Sequence, residues 1–335
     1  MTDPGRVRRA TMRDVAALAR VSHQTVSRYF SDRGGLKAAT RARIDVAVAE
    51  LDYRPDPIAR SMRTRRSGRL AVVLPTVAFN PARLLSGATT SAHDAGYAVD
   101  VVSLAGGSAG RAAHIPDLIG MGQFEGVLSY APLPAGVAES VDASTTLVVA
   151  GDFDDEMRGI GDLADGSAVA DLIEHLTGLG HRRFLHIAGS DDFASARARR
   201  RVYQETLERQ GLESLGVRGG DWTGEAGRSA VNGLNRADLP VAIIAANDLI
   251  AAGAVRAALD RGWRVPGDIS VVGWDDEPLA RYLSPSLSTV AVDLERMGRN
   301  GMLRLLAAVT GSEIEVDDRP LTRILWRESV GAPQV

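Results

Sequence analysis

The feature that most constrains this chain is a regular alternation of short β-rich runs with helical stretches, beginning at residue 69. RLAVVLP (69–75), YAVDVVS (97–103), EGVLSY (125–130) and TLVVAG (146–151) are short and rich in β-branched residues, with helical stretches between them at about 81–95, 111–121 and 134–140. The series restarts with RFLHIAG (183–189), VAIIAA (241–246) and ISVVG (269–273), separated by helices near 167–179, 196–210 and 249–261. Strands alternating with helices predict parallel sheets covered on both faces. Two such series predict two lobes, and sheets of this kind bind ligands in the crevice beyond their strand C-termini. LSTVAV (287–292) and LTRILW (321–326) are expected to cross between the lobes late in the chain.

The segment ahead of the alternation has a different character. Residues 1–69 hold 16 Lys and Arg against 7 Asp and Glu, whereas the other 266 residues hold 23 against 35. A basic head on an acidic body is suited to meeting a polyanion with the head alone. Within the head, Thr11 with Asp14 forms a capping box, and Val15, Ala16, Leu18 and Ala19 follow at helical spacing. Ser22 caps a second helix running through Tyr29, only Arg20 and Val21 separate the two, and a third amphipathic helix is predicted at about 38–51. Two short helices across a tight turn, closed by a third, describe a helix-turn-helix. DYRPDP then breaks the chain, and Asp56 and Pro57 start a short helix, IARSMRT.

Three stretches of the head, DVAALARVSHQTVSR, TRARI…LDYRP and IARSMRTRRSG, resemble the DNA-binding head of the lactose-repressor (LacI/GalR) family of bacterial transcription regulators. The resemblance implies that His23, Gln24 and Arg28 read base edges in the major groove, with Thr25, Ser27 and Tyr29 on phosphates. Ser31 stands on the same DNA face where the family usually has asparagine, and Lys37 stands where a serine cap is usual. It also implies that the short helix at 57–64 forms when two copies meet over the minor groove. Met62 then wedges into a central base step and Arg60, Arg63, Arg65 and Arg66 lie along the backbone.

Further along, GLGHRRFLHIAG (178–189), VAIIAANDLIAAGAVRAALDRGWRVPGDISVVGWDD (241–276) and LSPSLSTVAVD (283–293) resemble the family's effector core, which has a periplasmic-binding-protein-like fold. The implied fold is a three-helix head on a two-lobed α/β core of parallel sheets. Its expected limits are 10–55 for the head, 56–67 for the hinge helix and linker, and 68–331 for the core. One lobe takes about 68–163 and 293–321, the other about 164–290 and 322–331. Arg199, Asn247 and Asp275 match the family's effector-binding positions, and a guanidinium, an amide and a carboxylate suit vicinal hydroxyls. Trp222 falls where sugar-binding members place a stacking ring, with ordinary packing as the alternative. Pro75, Phe79 and Asn80 are candidates for the opposite wall, and Asp152 lies near a sugar-bonding acid position. Asp248 reads as a helix cap, Asp276 as a loop cap, and Arg197 and Arg200 as a solvated face.

Other classes have thin support. The absence of cysteine removes disulfides, thiolate zinc sites and cysteine nucleophiles, and the six histidines include no i, i+4 pair. GGSAG (106–110) matches G-x-S-x-G around Ser108, but Pro116 is expected to prevent a helix from starting at once. Neither an apolar run of membrane length nor a signal-peptide pattern is present, so a soluble cytoplasmic protein is expected. No enzyme activity, cofactor or metal is called for. The expected partners are operator DNA, a small effector of the sugar class and a second copy of the chain, without the tetramerising tail of the lactose repressor. An effector-activated, purine-type regulator and a ligand-binding module without DNA readout are the alternatives.

Overall fold

Residues 10–31, 36–53, 66–75, 81–104, 107–120, 122–130, 132–133, 145–154 and 158–334 are described by the structure, a computed structural model. The chain divides into two units, Met1–Gly68 and Arg69–Val335.

In the first unit, helices α1 (Met12–Leu18), α2 (His23–Ser31) and α3 (Ala38–Glu50) enclose a small core of Val15, Ala19, Val26, Ile44, Ala47 and Tyr53. Helix α1 starts as predicted, with the Thr11 amide donating to Asp14 Oδ2 at 2.8 Å and the Asp14 amide returning to Thr11 Oγ1 at 3.4 Å. Such reciprocal bonds satisfy two orphan donors of the first turn. Helix α2 is capped by Ser22, whose Oγ accepts from the Thr25 amide at 3.1 Å. The turn between them puts Arg20 at φ 51°, which an L-residue holds only when flanking packing fixes it. Lys37 precedes α3 without a side-chain cap.

The second unit contains two sheets. The first has strands β1 (Arg69–Pro75), β2 (Ala98–Leu104), β3 (Gly126–Ser129) and β4 (Thr146–Val149), all parallel, in the order β2-β1-β3-β4. Period-2 alternation sends Leu70, Val72 and Leu74 to one face, against α4 (Pro81–Asp94), and Ala71 and Val73 to the other, against α5 (Gly107–Gly120). Helix α5 corrects the expectation at GGSAG. It starts at Gly107 and runs through Pro116, because Ile115 and Ile119 bury completely or nearly so on Phe124 and Val127. That burial outweighs the one ladder bond proline removes.

The second sheet is built from β5 (Arg183–Ala188), β6 (Glu213–Gly219), β7 (Val241–Ala245), β8 (Ile269–Asp275), β9 (Ser288–Val292) and β10 (Thr322–Leu325). Its order is β10-β9-β8-β7-β5-β6, parallel except for β10. Helices α6 (Ala168–Gly178) and α7 (Ala194–Gln210) cover one face, α8 (Gly224–Asn232) and α9 (Asp248–Asp260) the other. Strand β6 and helix α8 were not predicted. ESLGVRG is a largely exposed edge strand without an apolar run, and α8 has only nine residues.

Helix α10 (Leu294–Thr310) lies in sequence between β9 and β10 yet packs on the first sheet and on α4. Both strands expected to cross between lobes therefore belong to the second sheet, and the chain passes over on either side of α10. The crossing of α4 and α10 brings backbone to backbone. A Cβ on Gly298 would meet Leu84 O at 1.9 Å, and one on Gly87 would meet Glu295 O at 1.8 Å. After β10 the chain is laced back, Ser329 Oγ donating to Val271 O at 2.7 Å.

Candidate functional sites

In the head, α2 presents His23, Gln24 and Arg28 to solvent, a cation one turn from an amide and an imidazole. Thr25 and Tyr29 are half-buried and already bonded inside the head: Thr25 Oγ1 to Ser22 Oγ at 2.8 Å, the Tyr29 hydroxyl to Asp45 on α3. Ser27 is also half-buried. Ser31 ends α2. Arg60 and Met62 lie outside the described residues.

In the body, the C-terminal ends of the second sheet gather four of the predicted effector residues. Arg199, on α7, is 6% exposed, and its Nη1 donates to Ala246 O, just past β7, at 2.5 Å. Its guanidinium lies 3.9 Å above the ring of Trp274, the penultimate residue of β8. Arg199 Nε has no hydrogen-bond partner among the described residues. Burial draws its pKa down to about 10, while the neighbouring Asp275 draws it up. Asp275 ends β8 with φ 107°, a strained conformation for an L-residue. Burial pushes its carboxyl up to about 7, and Arg199 works in the opposite direction. That carboxyl makes no side-chain hydrogen bond among the described residues, and Asp275 is half-buried rather than sealed from solvent.

Trp222 follows β6 and lies flat against Gly189 at the end of β5, where a Cβ would come within 2.4 Å of the ring. Phe193 meets it edge-on at 5.2 Å. Its Nε1 is buried and unpartnered. Asn247 has a structural role alongside the expected one: its Oδ1 caps α9 by accepting from the Ile250 amide at 2.8 Å, and its Nδ2 reaches Trp222 O at 3.5 Å. That leaves the amide group fixed beside Trp222.

Asp248 was expected to be the helix cap, but Asn247 takes that place. Asp248 is buried beneath the strained turn instead, accepting from Thr289 Oγ1 at 2.6 Å and from the Glu277 amide at 2.7 Å. Burial raises its pKa to about 6 against those hydrogen bonds. Asp276 pairs with Arg327 at 2.5 Å and Arg281 at 3.2 Å, which outweigh its burial and hold it below the usual carboxylate range. Arg197 is exposed and Arg200 half-buried, and on that face they bond to Asp191, Arg197 to its main-chain oxygen and Arg200 to its carboxylate.

The first lobe contributes less of what was expected. Pro75 is the last residue of β1, whereas Phe79 and Asn80 lie outside the described residues. Asp152 stands apart from the Arg199 group. Its charged neighbours are Arg304 and Asp162, and burial raises its pKa. The structure adds Arg83, in the first turn of α4, whose Nη1 donates to the main-chain oxygen of Asp275 at 3.4 Å. A contact between residues so distant in sequence has no local signal to announce it. Among the described residues there is no group of three metal-ligating side chains, and no helix is long and apolar enough to cross a membrane.

Known proteins share this layout. The family profile described as bacterial regulatory proteins, lacI family, matches residues 11–56, and the one described as periplasmic binding protein-like domain matches residues 173–330. The lactose operon repressor of Escherichia coli K12 is 31% identical over 332 residues, covering 96% of this chain and 91% of its own. A structure of the Lac repressor bound to ONPG in the repressed state superposes with a TM-score of 0.72 at 28% identity, over 96% of this chain and all of the other. A complex of the transcriptional regulator CelR with cellobiose gives 0.55 at 29% identity, again over 96% and 100%. With the helix-turn-helix head, the two parallel sheets and this likeness along nearly its whole length, the chain belongs to the lacI family of bacterial regulatory proteins.

Proposed function

We propose that this protein is a cytoplasmic, dimeric, sequence-specific repressor that holds an operator until a small carbohydrate enters the cleft of its body, and that it carries out no catalysis. The observation that carries the reading is the cluster of buried, unpartnered donors at the C-terminal end of the second sheet, Arg199 Nε, Trp222 Nε1 and Trp274 Nε1, beside the carboxyl of Asp275. Sugar hydroxyls both donate and accept, so one ligand can satisfy a guanidinium and a carboxylate together while stacking on an aromatic face. A carbohydrate effector is in keeping with the cellobiose bound by CelR. Dimerisation is supported by apolar side chains exposed on the second lobe: Leu279 at 74%, Tyr282 at 81% and Leu249 at 58%. Large exposed apolar groups in one region mark an association surface.

In this reading His23, Gln24 and Arg28 read the groove edges, while arginines near the short helix at 57–64, Arg60 among them, supply salt-dependent backbone affinity and Met62 the wedge. The ligand favours one arrangement of the two lobes by binding it more tightly, and that difference is the free energy available for release. Enrichment of genomic fragments on the purified protein, followed by elution with single sugars, tests the proposal. Arg28→Ala should lose about 1–3 kcal/mol of preference for the enriched site, with random-sequence binding little changed at fixed salt. Equal loss on both sequences, or no enriched fragment at all, would overturn the assignment of α2.

A further inference from the structure

Two consecutive residues at the end of β8 lie in the left-handed region, Asp275 at φ 107° and Asp276 at φ 51°. Neither is glycine, and an L-residue holds that conformation only where its surroundings over-determine it. The surroundings here are specific. The Asp276 amide donates to Thr289 Oγ1 at 3.4 Å, and the Glu277 amide donates to Asp248 Oδ2 at 2.7 Å. Thr289 Oγ1 in turn donates to Asp248 Oδ1 at 2.6 Å, so both amides are tied, directly or through one hydroxyl, to a single carboxylate. The other side of the Asp275–Asp276 peptide is held too, its oxygen accepting from Arg83 Nη1 at 3.4 Å.

The carboxylate that gathers these bonds lies where an acid is otherwise unfavourable. Asp248 is 4% exposed and Thr289 completely buried, and a buried charge persists only where hydrogen bonds satisfy it. Capping does not require it, since Asn247 already caps α9. Room is made for it as well. Gly273 pairs with Thr289 across the β8–β9 register, and a Cβ on Gly273 would run into Asp248 Oδ1. Residues from α9, β8 and β9 are therefore shaped around one task, the path of the chain through 275–277. The side chain of Asp276 is engaged elsewhere, with Arg327 and Arg281. Asp275 is the member of the turn left beside Arg199.

We infer that Asp248, acting with Thr289, is a positioning residue of the effector site: the pair fixes Asp275 in the left-handed conformation that presents it beside Arg199, and neither touches the effector. The inference rests on the cleft being the carbohydrate site proposed above. It makes affinity for the sugar depend on a hydroxyl buried behind the site. Without that hydroxyl the Asp276 amide loses its acceptor and Asp248 loses a donor. The turn then relaxes toward the ordinary extended or helical region, and Asp275 leaves its place.

Calorimetry on the full chain with D-glucose, D-galactose, D-ribose, lactose and cellobiose supplies the probe, and the tightest binder is carried into the variants. Thr289→Val keeps the shape and removes the hydroxyl. It should bind that sugar about tenfold more weakly while holding the enriched operator as wild type does. Thr289→Ser keeps the hydroxyl and should bind the sugar within about twofold of wild type. Asp248→Ala removes both acceptors and should lose about tenfold or more, a check that stands if the valine variant does not fold. A hydroxyl serving stability alone would lower the melting temperature and leave sugar affinity below that temperature untouched. Wild-type sugar affinity in Thr289→Val or Asp248→Ala therefore overturns the inference while leaving the carbohydrate reading in place. So does a serine variant as weak as the valine one. If none of the sugars binds, the carbohydrate reading itself fails, and the inference with it.

Discussion

Replacing Arg199 by glutamine isolates what the cleft contributes to the response. The wild-type guanidinium makes one 2.5 Å hydrogen bond to Ala246 O and lies 3.9 Å over Trp274. A charge-assisted hydrogen bond contributes about 1.5–3 kcal/mol and a desolvated cation–π contact about 2. Against these stands the desolvation of a guanidinium that is only 6% exposed, several kcal/mol in real proteins. The opposing terms are of similar size, so the fold should change in stability by less than about 2 kcal/mol. The effector has no such offset, because it loses a charged donor and leaves its own acceptor unpaired in a dry site. That costs about 1.5–3 kcal/mol, roughly 10- to 150-fold in affinity. The assay is release from the enriched operator against concentration of the releasing sugar, paired with calorimetry on the same variant. Operator affinity should equal wild type while the release curve moves to correspondingly higher sugar. Release at the wild-type concentration would show that Arg199 does not face the ligand, and the site would have to be sought elsewhere.

Two further substitutions probe the electrostatics and the packing. Asp275 has its proton held up to about pH 7 in the fold against 3.8 in the open chain, so folding binds protons in that window and stability falls as pH rises through it. Asp275→Asn mimics the protonated form, and its melting temperature relative to wild type should rise by more at pH 8 than at pH 5, since at pH 5 only the early part of that window has been crossed; the same difference at both values would refute the buried-acid assignment. Gly298→Ala places a methyl 1.9 Å from Leu84 O, a backbone atom that cannot turn aside. Denaturant unfolding should show a loss of about 1–3 kcal/mol or more from overpacking, whereas Gly120→Ala, whose Cβ meets nothing within 4 Å, should show none of that.

Legibility followed the range of the interactions. The head could be read residue by residue because its determinants are local: the Thr11–Asp14 box, the Ser22 cap and the spacing of Val15, Ala19 and Val26 all operate within one or two helical turns. Buried strands such as VAIIA announce themselves by continuous apolar runs, whereas edge strand β6 does not, since its pairing partner β5 supplies the stability its own sequence lacks. The helix around Pro116 was expected at about 111–121, and what the local reading missed is its start at Gly107, where burial of Ile115 and Ile119 favours a longer helix. Of the residues expected to bind an effector, Arg199, Trp222, Asn247 and Asp275 are brought to one end of the second sheet, but the capping duty of Asn247 and the approach of Arg83 depend on packing between distant segments.

The position of α10 between β9 and β10 bears on how the body is made. A ribosome that has delivered everything up to Asp293 has finished neither half: the first sheet still lacks the helix that seals it, and the second lacks its border strand and the Ser329 lacing. Each half leaves apolar surface bare until the closing stretch of the chain arrives, so the two must mature nearly together instead of one after the other. A nascent or truncated body ending short of β10 is therefore a sticky intermediate that needs shielding by chaperones rather than a smaller folded domain.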